Sequence, residues 1–267
     1  MVNIVLLGKT GSGKSATGNT ILDEEVFEAK FSSKSVTKTC KSYHGEVNRQ
    51  KITLIDTPGL CDTTMSTDEI KTEIEKLFNH SGDGVDAFLL VIRVDVIFTQ
   101  EEENTVKWIQ ENFGEEATKY TMVVFTHGDA TTDSIQDYID ENEKLMSLVN
   151  KCRGGYHVFN NKDKDRSQVT ELLRKIEELK EKNQSKHYKR EDYEKTQEEI
   201  RRKKGLIGAA AGGTGGAGIG AATGAGIALK TGAVAVTVGK AAATGSIRSR
   251  CCRSSSSWCR SVFILRK

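Results

Sequence analysis

Five short apolar runs recur along the chain, at residues 4–7, 52–55, 87–92, 121–125 and 156–159. Each has strand length and is rich in β-branched or aromatic residues. Charged segments with apolar residues at helical spacing lie between most of them, at 68–78, 101–113 and 134–149. Residues 16–22 can open a further helix close behind the first run. Strands alternating with helices predict a doubly wound, mostly parallel α/β sheet. No helix separates segment 40–46 from the run at 52–55. Those two are therefore expected to pair antiparallel, as a hairpin through 46–51 at an edge of the sheet.

Beyond the last run the pattern becomes helical and charged. Val169, Leu172, Leu173, Ile176 and Leu179 fall at helical spacing, so 167–181 should pack on the sheet. Residues 183–188 read as a break. Residues 190–204 read as a strongly charged second helix, a solvated extension rather than core. After Lys204 the composition changes: 206–229 carries no charge and places Gly208, Gly212, Gly216, Gly220 and Gly224 four residues apart. Such a stripe lets membrane helices approach closely, and the stretch is long enough to cross a bilayer. Gly and Ala insert weakly compared with Leu, however, and the same composition suits a flexible low-complexity tail. Residues 246–267 show no periodicity and are expected to be disordered. The expected organisation is a globular domain over 1–182, a charged helical extension over 183–204, a Gly/Ala-rich candidate membrane segment over 205–245, and a basic tail over 246–267.

Charge and cysteine content narrow the partners. The chain has 267 residues and a net charge of only +2, so no global basic field points to nucleic acid. The balance is uneven: from Lys240 onward there are seven Lys/Arg and no Asp/Glu. That end, with Arg201–Lys204, favours binding to anionic lipid. The six cysteines, Cys40, Cys61, Cys152, Cys251, Cys252 and Cys259, make no C-x-x-C pair, which argues against a zinc site. The last three are candidates for acylation or are unreactive surface thiols. The first apolar run starts at Val2 with no secretory signal ahead of it, which sets the expectation of a cytoplasmic protein, on intracellular membranes if the tail binds them.

The chemistry begins directly after the first run. Gly8-Lys9-Thr10-Gly11-Ser12-Gly13-Lys14-Ser15 is a complete G-x-x-x-x-G-K-S/T phosphate loop, placed between a strand and a helix that starts near Ala16. Its glycines let backbone N–H groups curl round phosphates at a helix N-terminus. Lys14 can reach the β- and γ-phosphates, and the Ser15 hydroxyl can ligate Mg²⁺. In Leu54-Ile-Asp56-Thr57-Pro58-Gly59, Asp56 ends a strand where a Mg²⁺-organising acid belongs, and the Gly59 N–H can meet the γ-phosphate. Thr37 lies between the first helix and Asp56. Its hydroxyl can complete the Mg²⁺ shell, with Thr39 as the alternative. Lys14 and Thr37 are the residues expected to act at the reacting phosphate.

A later strand end selects the base. In Thr126-His127-Gly128-Asp129, a carboxylate at Asp129 can accept N1–H and N2–H₂ of guanine, which adenine lacks. Thr126 and His127 stand where Asn-Lys is usual. Asn160, after the last run, belongs to a loop that can close over the base. GTP or GDP with Mg²⁺ is thus the expected ligand. An ATP-dependent phosphotransferase is the competing reading, disfavoured by Asp129 and by the lack of any second substrate motif.

Taken together, GKTGSGKSATGNTIL, the segment 35–40, Asp-Thr-Pro-Gly-Leu60 and Phe-Thr-His-Gly-Asp129 resemble the GIMAP (immunity-associated nucleotide-binding) GTPases, relatives of septins and chloroplast outer-envelope import GTPases. The box AFLLVIRVDVIFTQEEE over 87–103 and the stretch 106–114 resemble that family too, and the likeness covers about 2–204. The resemblance implies a six-stranded P-loop GTPase sheet with a helical extension. It also implies GTP-dependent dimerisation or oligomerisation, with itself or with related members, and immune roles, often at intracellular membranes. Family members commonly carry Arg where this chain has Ile97, an arginine thought to act across the dimer interface. Arg93, on a strand, is not expected to replace it. Leu60 follows Asp-Thr-Pro-Gly, so no glutamine orients water there. Both departures imply slow intrinsic hydrolysis. A GTP-controlled membrane scaffold is therefore the first expectation, and an active GTPase with dimer-stimulated turnover the second.

Overall fold

The computed structural model describes residues 1–29, 37–59, 65–96, 98, 100–130 and 134–211. All lie in one compact unit, Met1–Gly215; the segment Gly216–Lys267 falls outside them. The strands are β1 (Val2–Leu7), β2 (Lys41–Val47), β3 (Gln50–Asp56), β4 (Ala87–Arg93), β5 (Thr121–Thr126) and β6 (Tyr156–Phe159). The helices are α1 (Lys14–Leu22), α2 (Thr67–Ser81), α3 (Gln100–Phe113), α4 (Ile135–Asp140), α5 (Glu143–Lys151), α6 (Ser167–Lys182) and α7 (Arg190–Ala211). The sheet order is β2-β3-β1-β4-β5-β6, with every pair parallel except β2 and β3. This is the expected six-stranded fold, with the predicted antiparallel edge. The β2–β3 turn is a two-residue loop in which Asn48 and Arg49 take φ of 51° and 64°, the mirror-image geometry that matches strand twist.

The alternation of side chains along the strands feeds two cores, one on each face. Val5, Leu7, Ile55, Phe88, Leu90, Val123 and Phe125 point to the side covered by α2, α3, α4 and α5. Ile4, Leu6, Leu54, Leu89, Val91 and Val124 point to the side covered by α1 and α6. A sheet buried on both faces explains why its inner strands read as continuous apolar runs.

Two elements differ from the pattern reading. The single helix expected over 134–149 is two, α4 and α5, because the Asn142 side chain accepts from the N–H groups of Lys144 and Leu145, both at 3.1 Å, and so starts a new helix. The charged helix expected as a solvated extension instead docks through its first half and runs on to Ala211. Just before it, Tyr188 bridges Val85, and its fully buried ring donates a hydroxyl hydrogen bond to the Phe113 carbonyl at 2.6 Å. Gln197 Nε2 donates to the Asn112 carbonyl at 2.8 Å. A Cβ on Gly114 would lie 2.7 Å from the Thr196 hydroxyl, so glycine there admits the helix. The Tyr193 ring packs on Phe78 and Phe113 and polar groups make the rest of the docking, so little apolar periodicity is left to reveal it. Among the described residues no helix is long and apolar enough to cross a membrane. The candidate membrane segment beyond Ala211 and the basic tail lie outside the described residues.

One titration is built into the sheet. His157 on β6 is 5% exposed, packs edge-on to Phe159, and has no hydrogen-bond partner for Nε2 among the described residues. Burial, then the Lys175 ammonium, push its imidazole down to about 4 from the ordinary 6.5, against weaker opposition from a hydrogen bond to the Gln168 backbone and from Glu171. Between those values the unfolded chain binds a proton that the folded chain does not. Stability should therefore be complete above pH 6.5 and fall as the pH drops toward 4, at up to about 1.4 kcal/mol per pH unit. Denaturant melts of wild type and His157→Phe from about pH 7 to about pH 4.5 check this. Equal slopes in both proteins would remove His157 as the cause.

Candidate functional site

The carboxyl ends of β1, β3, β4, β5 and β6 converge at the crevice where ligands bind in doubly wound sheets. The loop after β1 turns tightly. Gly8, Gly11 and Gly13 have φ of 145°, 78° and 96°, and a Cβ on Gly8 would lie 2.6 Å from the Val91 carbonyl oxygen. Gly13 caps α1, so free N–H groups of a helix N-terminus face the loop. Lys14 is 6% exposed, and its ammonium donates to the carbonyls of Gly8 at 3.1 Å and Lys9 at 2.9 Å. The Ser12 hydroxyl is buried without a partner among the described residues.

Three oxygen donors from distant parts of the chain meet beside Lys14. The Ser15 hydroxyl donates to Asp56 Oδ2 at 2.6 Å, the Thr37 hydroxyl to the same oxygen at 3.2 Å, and the two hydroxyls are 3.2 Å apart. Asp56 is 1% exposed, and its Oδ1 has no partner among the described residues. Burial pushes its carboxyl up, opposed by Ser15, Lys14, Thr37 and Lys41. A buried carboxylate with a spare oxygen, flanked by two hydroxyls, is a hard oxygen set suited to Mg²⁺. All three expected metal ligands are thus adjacent. Thr39, the alternative to Thr37, lies elsewhere, on Glu73 of α2.

The remaining candidates fall on two sides of this cluster. Gly59 lies against the phosphate loop: a Cβ there would collide with the Thr10 hydroxyl and lie 2.9 Å from the Thr10 nitrogen. Thr57, beside it, ties the β3 end to β1 by donating to the Leu6 carbonyl at 2.6 Å. Thr126 is buried, and its hydroxyl donates to the Ser12 carbonyl at 2.9 Å, so it braces the phosphate loop. His127 takes φ of 61°, with Nδ1 3.2 Å from that hydroxyl and 3.8 Å from Asp95 Oδ1. Asp129 pairs with Lys162 at 2.9 Å, and that ammonium holds its carboxyl below the usual range. Asn160 turns its side-chain oxygen to the Lys162 N–H at 2.9 Å. Ala16 lines a cavity of about 350 Å³ with Asn19, Thr20 and the 161–166 loop. Arg93 is engaged in a two-point pair with Asp95. Ile97 and Leu60 lie outside the described residues.

Sequence reasoning placed Asn161 with Asn160 only in a loop that can close over the base, and did not single out Arg166. Asn161 accepts from the Thr20 hydroxyl at 3.0 Å and donates to Thr17 at 3.2 Å, fastening the last loop to α1. Arg166 donates to the carbonyls of Thr20 and Ile21 at the end of α1, where a cation is favoured. The polar run after β6 was the available signal, but nothing in it says which residue points to α1.

A model of the AIG1 family matches residues 2–205. Over 183 residues the chain is 41% identical to the human GTPase IMAP family member 8, covering 67% of this chain and 27% of that protein. Over 207 residues it is 36% identical to immune-associated nucleotide-binding protein 3 of Arabidopsis thaliana, covering 74% of this chain and 62% of the relative. The matched region thus spans about a quarter of the first relative and just under two thirds of the second. A structure of the chloroplast translocon components atToc33 and psToc159, for whose GTPase activity dimerization is described as important, superposes with a TM-score of 0.54 at 22% identity, covering 67% of this chain and 82% of that one.

Proposed function

The chain belongs to the AIG1 family, and on that footing we propose that it binds GTP and GDP with Mg²⁺ and uses the γ-phosphate to switch self-association. The observation that carries this is the junction of Ser15, Thr37 and Asp56 beside Lys14, with one Asp56 oxygen left over. Ser15, Thr37 and Asp56 would hold the cation, directly or through water, and it would offset phosphate charge. Thr37 and Gly59, from two separate loops, would together sense the third phosphate, and ordering such loops is how nucleotide state becomes a surface. Dimerisation through this face, with another copy or a related family member, follows the same reading. It is in line with what is described for the translocon components. We further propose a scaffold at intracellular membranes, reached from the cytoplasm through the Gly/Ala-rich segment, with slow intrinsic hydrolysis because Ile97 and Leu60 supply neither arginine nor glutamine.

Binding of GMPPNP, GDP and ATP to the full chain, with the oligomeric state recorded in each, tests this. Guanine-specific binding with assembly in GMPPNP alone is the expected result. Equal binding of ATP would overturn it. The second reading, a GTPase stimulated by dimerisation, rests on the family and on the translocon description. Ile97→Arg separates the two: turnover at high protein concentration should rise by about a hundredfold or more. No rise would mean that a missing arginine does not limit the rate.

A further inference from the structure

Thr39 and Cys40 connect Thr37 to β2, and a single carboxylate on α2 holds them both. The Cys40 N–H donates to Glu73 Oε2 at 2.6 Å, and the Thr39 hydroxyl lies 3.1 and 3.0 Å from the two carboxylate oxygens. The Cys40 thiol donates to the Glu73 carbonyl at 3.3 Å. Lys76, one turn on, closes the group, with its ammonium 2.7 Å from Glu73 Oε1 and 2.8 Å from the Thr39 hydroxyl. The Glu73 side chain is only 8% exposed. Burial works to raise its pKa, yet Lys76, the Cys40 N–H and the Thr39 hydroxyl outweigh it and hold the carboxyl below the usual range.

A buried acid is costly, and packing does not require one here. The apolar contact of α2 with the sheet comes from Ile74, Leu77 and Phe78. What the carboxylate does is hold the chain two and three residues beyond Thr37, by the Thr39 hydroxyl and the Cys40 backbone N–H. From Cys40 the chain enters β2, whose first residue, Lys41, is paired with Asp56. The link between α2 and the cation cluster is therefore short: Glu73, Thr39–Cys40, Thr37, Asp56.

We propose that Glu73 is a positioning residue for Thr37, holding its hydroxyl at the cation cluster and so setting the preference for a nucleoside triphosphate over a diphosphate. This rests on the nucleotide reading above. Residues that are already ordered lose no further backbone entropy when Thr37 meets the cation. The same carboxylate makes the placement of Thr37 and of α2 a single choice.

The test is the affinity of the full chain for GMPPNP and GDP, each with Mg²⁺ and with EDTA. Glu73→Gln keeps the shape but removes the charge that holds Lys76 and strengthens both hydrogen bonds. It should weaken GMPPNP with Mg²⁺ by about tenfold, change GDP by less than about twofold, and leave both values in EDTA unaltered. Thr39→Val, which spares the Cys40 and Lys76 contacts of Glu73, should act in the same direction, by about threefold. If Glu73→Gln does not fold, Thr39→Val decides with the same comparison. Equal losses for GMPPNP and GDP would assign Glu73 a purely structural role and overturn the proposal. Normal nucleotide preference in the variants would also overturn it, with the nucleotide reading intact. A wild-type chain that binds no guanine nucleotide would overturn both.

Discussion

Lys14→Met should lower GTP affinity by at least about 100-fold and leave the protein folded. The lysine is almost wholly buried, with its ammonium held on the Gly8 and Lys9 carbonyls inside the loop that the proposed phosphates would enter. Each hydrogen bond from a charged donor to phosphate contributes about 1.5–3 kcal/mol, and two such bonds correspond to two or more orders of magnitude. Methionine matches the stem in length and flexibility, so packing changes little. Removing a buried ammonium relieves desolvation, which offsets the loss of its bonds to the Gly8 and Lys9 carbonyls, so the melting temperature should change little. Nucleotide titration and thermal melts, run together, read both quantities. Intact GTP binding would show that the loop does not hold phosphate through Lys14. A large drop in melting temperature would make the lysine structural.

Asp129→Asn should exchange guanine for xanthine. The carboxylate can accept from N1–H and N2–H₂ of guanine, and its present partner, Lys162, is an exposed side chain able to move aside. An amide offers one acceptor and one donor, so a guanine N–H is left facing an N–H. The loss should be about 100-fold for GTP, because a site built to pair a polar group rejects the ligand that leaves it unpaired. Xanthosine triphosphate, with a carbonyl at position 2, should gain. Competition between the two triphosphates on wild type and variant gives the result directly. An unchanged GTP preference would move base recognition elsewhere, to His127 or the loop after β6. Wild-type preference for ATP would remove the guanine reading altogether.

Much of the frame could be read along the chain. The phosphate loop, the strand ends carrying Asp56 and Thr126, and the hairpin edge follow from short-range chemistry: glycine where φ is positive, apolar runs where both faces are covered, an acid at the end of a strand. Position along the chain favoured Thr37 over Thr39 without excluding the latter. Both are threonines on one short segment, and only the approach of α2 shows that Thr39 is engaged by Glu73 while Thr37 reaches Ser15 and Asp56. The roles within Thr126-His127-Gly128-Asp129 likewise divide only in three dimensions. Thr126 braces the Ser12 carbonyl, whereas Asp129 lies outward with Lys162.

The chain alone was enough for the order of the chemical motifs and for a mostly parallel sheet, which rest on local backbone preference and on periodicity within single segments; the family came from the likeness of several motifs taken in order and spacing. What docks and what couples came from the folded chain: the segment from Tyr188 through α7 on Phe113 and Asn112, and Glu73 on Thr39–Cys40. Those contacts join residues whose separation along the chain bears no relation to their separation in space. They are made by polar groups, whose partners hydrophobic patterning does not specify.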